Sequence, residues 1–163
     1  MSIKDQIGSE NWKLIFNSMT MVSSFVSIAS GGGMETLKEL VSATKFAQEL
    51  SQKEDGSGYG ELVDEILETM KDIGMKDAKD IAIKYESKTV EGLRDELKAL
   101  ISQAINAASG LPGEEGFRQW LFDLARRVAE TKTGGFLGIG GKSVVDEQEQ
   151  IAMDELAGLL NLL

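Results

Sequence analysis

Almost everywhere in this chain the apolar residues recur at three- and four-residue spacing, and a single proline stands among 163 residues. That spacing is the period of an α-helix, and a chain so poor in proline has few points at which helices must break. No segment sustains a two-residue alternation, so no sheet is expected. The expectation is an all-α fold, one compact bundle of about seven helices, forming a single domain over residues 1–163.

Ser9 serves as a candidate N-cap for a first helix carrying Trp12, Ile15, Phe16, Met19, Val22 and Val26 on one face. Met21, Phe25 and Ile28 on its other faces make it apolar nearly all round, which places it in the middle of the bundle. Gly31-Gly32-Gly33 ends it, and a second helix from about Met34 carries Leu37, Leu40, Val41, Ala47 and Leu50. A third is expected from about Tyr59 to Gly74, and a short fourth over Lys76 to Tyr85. A fifth over Thr89 to Ala108 has Val90, Leu93, Leu97 and Ile101 facing inward. A sixth carries Phe117, Trp120, Leu121, Leu124 and Val128, and a last one Ile151, Ala152, Leu156, Leu159 and Leu160.

The chain has no cysteine and no histidine. Disulfides, thiolate metal sites, a thiol nucleophile, the Ser-His-Asp arrangement and the usual zinc ligands are thereby excluded. A bound metal would need oxygen ligands, which points to a hard divalent cation such as Ca²⁺. Seventeen basic against twenty-seven acidic residues give a net charge of −10, which repels nucleic-acid backbones and anionic lipid. The opening MSIKDQIGSENWK has no apolar signal core and no run reaches spanning length, so a soluble, cytoplasmic protein without direct membrane insertion is expected.

Three stretches invite a chemical reading. Gly141-Lys142-Ser143 ends like a phosphate-binding loop, but Phe136 stands where the first glycine belongs and a helix, not a strand, precedes it. The stretch from Gly134 to Lys142 is therefore expected to be a crossing loop with Phe136 and Leu137 buried. Asp55 to Glu61 aligns with the start of an EF-hand loop, with Gly60 at the sixth position, yet the twelfth is Ile66 instead of a bidentate carboxylate. Asp146-Glu147-Gln148-Glu149 has capping-box spacing, in which Asp146 caps the last helix and Glu149 reaches back to the backbone. The alternative is a cation site in which Asp146 and Glu149 are joined by Glu35 and Glu39, because an apolar helix, a Gly-rich turn and an acidic helix occur twice in the chain.

The residues from Phe117 to Leu160, FRQWLFDLARRVAETKTGGFLGIGGKSVVDEQEQIAMDELAGLL, resemble the C-terminal signature of TerB-like proteins of the tellurite-resistance group. In that pattern a W-L…A…V-A-E helix precedes G-G-F-L-G-x-G-G and an acidic cap. The stretch NWKLIFNSMTMVSSFVSIASGGGMETLKEL resembles the opening of the same family, and the two together cover about half the chain. Ser30-Gly31 stands where other TerB-like domains carry Asp-Gly. The resemblance implies a compact helical domain in a cytoplasmic stress-response setting, a divalent-cation role for acidic residues, and no catalysis. It also implies a protein partner, including components of membrane-protein complexes. The rival expectation is a module without metal that binds a partner helix or itself, as a homo-oligomer, through Leu159, Leu160, Leu162 and Leu163.

Overall fold

The apolar periodicity closes into helices wherever the chain can be followed. A computed structural model of the protein describes residues 1–29, 36–53, 55–134 and 147–163, without the side chains of 36–42, 75–76 and 131–134. Among these residues there are eight helices: α1 (Ile3–Ile7), α2 (Ser9–Ala29), α3 (Thr36–Glu49), α4 (Glu61–Asp72), α5 (Met75–Ile81), α6 (Val90–Ala108), α7 (Glu114–Gly134) and α8 (Glu147–Leu159). They contain no strand. The isolated bridge between Gln52 and Gly58 closes a loop.

The nearly all-apolar α2 is the axis of the bundle, as its composition requires: α1, α3, α6, α7 and α8 all pack against it. Trp12, Ile15, Met21, Val22, Phe25 and Val26 on α2 are essentially solvent-free. They share one core with Leu97 and Ile101 of α6, Phe117, Trp120, Leu121 and Leu124 of α7, and Leu156 of α8. Each of these large side chains withdrawn from water contributes about 1.5–3 kcal/mol, so the α2 interfaces dominate the stability of the fold.

Two loops cross where α4 and α7 begin. Gly60 and Gly113 have φ of +105° and +82°, and a Cβ at Gly113 would lie 2.8 Å from the Glu61 amide nitrogen. Gly116 is tighter still, since its Cβ would stand 1.6 Å from the Tyr59 carbonyl oxygen. Glycine is required at this crossing because no side chain fits between the two backbones.

The structure corrects several sequence expectations. Helix α2 has Gly8 at its cap position, with the Trp12 amide donating to the Gly8 carbonyl at 3.0 Å, and Ser9 is already helical. Tyr59 lies in the loop before α4, buried at 3% exposure. The expected helix Lys76 to Tyr85 stops at Ile81. From Ala82 to Lys88 the chain forms no regular element, with Ile83, Tyr85 and Ser87 half-buried and Ala82, Lys84, Glu86 and Lys88 exposed. This is the two-residue alternation that the sequence reading missed. Val90, expected inside, is 49% exposed at the start of α6, and Leu160, offered as exposed surface, is wholly buried.

This connecting segment is tied down at both ends. Asn17 of α2 donates to the Ile81 carbonyl at 2.8 Å. Glu96 of α6 accepts the amides of Glu86 and Ser87 at 2.9 and 3.0 Å. Burial raises the Tyr85 phenol above its ordinary value, as expected of a ring turned toward the core.

Candidate functional site

Glu49 at the end of α3 accepts from Arg127 of α7 at 2.7 Å. Tyr59, later in the chain, donates to Asp123 at 2.9 Å, and its carbonyl abuts Gly116. The chain leaving α3 thus meets α7 at successively earlier residues. Leu162 and Leu163, which follow α8, share a groove with Glu114 and Arg118 at the start of α7. The chain leaving α8 therefore lies beside the start of α7.

Of the four candidate site residues, Glu149 is the one whose side chain is described. It sits in the first turn of α8 at 0% exposure. Glu39 is a helical residue of α3, but its side chain is outside the described part, and Glu35 and Asp146 lie outside the described residues altogether. The same holds for the expected burial of Phe136 and Leu137 and for the capping role of Asp146. Among the described residues no group of three or more acidic side chains comes together as a metal cluster.

A carboxylate as deeply buried as that of Glu149 is costly to desolvate, so it belongs where donors or a cation offset the loss of water. Helix α2, against which α8 packs, buries the hydroxyls of Ser18, Ser23 and Ser27. Ser18 and Ser23 turn theirs back onto the Ile15 and Met19 carbonyls at 2.6 and 2.7 Å.

Comparison with protein-family models, with curated proteins and with solved structures returned no match. No described helix is long and apolar enough to cross a membrane.

Three polar constellations were invisible in the sequence. Glu155 of α8 is clamped between Arg94 and Lys98 of α6, the Lys98 distance being 2.8 Å. The hydrogen bond from Lys98 and the Arg94 guanidinium hold its carboxyl below the ordinary glutamate value. Asp123 gathers the Tyr59 hydroxyl, Gln119 at 2.9 Å and Arg126 at 3.1 Å. It lines a groove of about 660 Å³ with Lys53 and Arg127. In this groove Lys53 and Arg126 are offset by Asp55 and Asp123, so it offers no net charge to a ligand. Asp55, whose loop lacks the twelfth-position carboxylate of an EF-hand, accepts the Ser57 amide at 2.9 Å and its hydroxyl at 2.6 Å. These bonds, led by the Ser57 hydroxyl, lower the Asp55 carboxyl and account for it as a turn residue.

Proposed function

We propose that the chain is a non-enzymatic, TerB-like module of the tellurite-resistance, stress-response type. In this reading acidic side chains at the starts of α3 and α8 hold a divalent cation such as Ca²⁺, or the basic surface of a protein partner. The partner class extends to components of membrane-protein complexes, and the setting is cytoplasmic.

The observation that carries the reading is Glu149, a carboxylate without solvent exposure in the first turn of α8. A lone cap would sit at the helix surface, where water shares the work of solvating it, whereas a buried acid draws a cation or a full set of donors to itself. With no histidine and no cysteine in the chain, oxygen is the available ligand chemistry, and it suits Ca²⁺. Glu39, on α3, is the complementary acid in this reading, with Glu35 and Asp146 next.

Thermal melting of chelator-treated protein with and without millimolar Ca²⁺ tests this. A cation held by the folded state raises the melting temperature by mass action. Glu39→Gln and Glu149→Gln should each abolish that rise. A parent protein whose melting ignores Ca²⁺, Mg²⁺ and Zn²⁺ removes the cation from the proposal and leaves a protein-binding or self-associating module.

A further inference from the structure

Helix α1 meets α2 at one residue, Gly8, whose φ of +80° and ψ of 162° belong to a region of backbone conformation essentially reserved for glycine. Crowding does not explain the glycine, since nothing stands within 4 Å of a Cβ built there. The bend leaves the helical ladder open. The Trp12 amide is the first of α2 to find a helical acceptor, the Gly8 carbonyl, and the backbone amides of Ser9, Glu10 and Asn11 have no acceptor among the described residues. Across the break the Asn11 side chain donates to the Ile7 carbonyl at 3.1 Å, which in a continuous helix would accept the Asn11 backbone amide. If Gly8 turns helical, residues 3–29 become one helix, and the three open amides bond to the carbonyls of Asp5, Gln6 and Ile7.

What holds α1 back is its seat. Ile3 is buried in the core, and the Glu65 carboxylate of α4 accepts the Ile3 and Lys4 amides, each at 2.9 Å. The arm carries its own cap, because the Ser2 hydroxyl accepts the Asp5 amide at 3.1 Å and the Ser2 carbonyl the Gln6 amide at 3.2 Å. It can therefore leave the seat as a unit. Within one chain the seat and the straight helix exclude each other, since straightening at Gly8 carries Ile3 away from its own Glu65. Between two chains they are compatible. We propose that α1 is an exchangeable arm: it straightens at Gly8 and takes the Glu65 seat of a second copy, whose own α1 takes the vacated seat, to form a swapped homodimer. The exchange keeps the contacts of both seats and closes both helical ladders, which the monomer cannot do at once. The net charge of −10 on each chain and the entropy of association oppose it, so the bent monomer dominates when dilute and at low salt. This inference does not rest on the cation reading.

The test is sedimentation equilibrium of the whole protein, up to millimolar concentration and at rising salt. The parent should dimerise, and more strongly as salt screens the repulsion between the chains. Gly8→Ala should tighten the dimer by about tenfold or more, because alanine is disfavoured in the bend and favoured in the straight helix. Ile3→Asp spoils the arm and Glu65→Ala the seat, so each alone should be monomeric. Mixed in equal amounts, these two variants should form a one-to-one dimer, since the intact arm of the Glu65→Ala chain fits the intact seat of the Ile3→Asp chain. The Ile3 and Lys4 amides of the Glu65→Ala chain should become protected from exchange in that mixture and not in the variant alone. A parent that stays monomeric at millimolar concentration, a Gly8→Ala dimer no tighter than the parent's, a single variant that dimerises like the parent, or a mixture that stays monomeric would each overturn the proposal. Circular dichroism and a protected Trp12 amide show that both variants keep the bundle.

Discussion

The carboxylate of Glu65 on α4 closes on the first turn of α1, where it accepts the Ile3 amide at 2.9 Å. The Lys4 amide donates to its other oxygen, also at 2.9 Å. Two orphan donors at the start of a helix too short to persist alone are thus satisfied from a distant element. Glu65→Ala should release α1. The expected cost is about 1–2 kcal/mol, with amide exchange at Ile3 and Lys4 accelerated while the Trp12 amide stays protected.

The ion cluster of Glu155 with Arg94 and Lys98 fixes α8 to α6, and its pH response has a definite sign. Lys98 and Arg94 lower the folded-state value of the Glu155 carboxyl, and the amides of Glu86 and Ser87 do the same for Glu96. A lowered folded value means stabilisation that is complete above the ordinary unfolded value of about 4.3 and is lost as pH falls through the folded value. Glu155→Gln should therefore be less stable than the parent at neutral pH, and the difference should shrink as pH falls through the lowered folded value of the parent carboxylate. Urea denaturation across that range reads the difference.

At the loop crossing, Gly116→Ala should cost about 3 kcal/mol or more, because the added methyl meets the Tyr59 carbonyl and neither backbone can yield without shifting its helix. Gly56 provides the contrast. Its φ is +81° but nothing stands within 4 Å of a Cβ built there, so Gly56→Ala should cost only about 1–2 kcal/mol of backbone strain. Equal losses in chemical denaturation would show that the crossing is not as close as described.

Tyr59→Phe removes the hydroxyl that donates to Asp123 and leaves the buried ring in place. Asp123 keeps Gln119 and Arg126 as donors, so the loss should be about 1 kcal/mol. A loss several times larger would mean that the hydroxyl organises the crossing as well as the groove.

Where the apolar spacing was clearest, the sequence was sufficient: the apolar stripes of Trp12 to Val26, Leu62 to Leu67 and Phe117 to Leu124 are buried as their spacing required. The segment after Ile81 escaped because its inward positions are Ile83, Tyr85 and then the polar Ser87, too brief an alternation to separate from a helix end. Val90 escaped because the first turn of a helix can point past the core it leads to. The pairing of Glu155 with Arg94 and Lys98 is set by how α6 and α8 pack, and local spacing holds no trace of it. Glu149 was legible as an acid near a helix start, while its complete burial follows from α8 lying against α2 and α7.

Helix α2 has a consequence for how the chain is made. Its partners α6, α7 and α8 are all encoded far downstream, so a nascent chain that has finished α2 cannot yet cover Met21, Val22, Phe25 and Val26. At about 5–20 residues per second the ribosome leaves that greasy rod uncovered for several seconds. During synthesis it is the stretch most in need of a chaperone, and folding has to wait for α6 before the axis of the bundle can be enclosed.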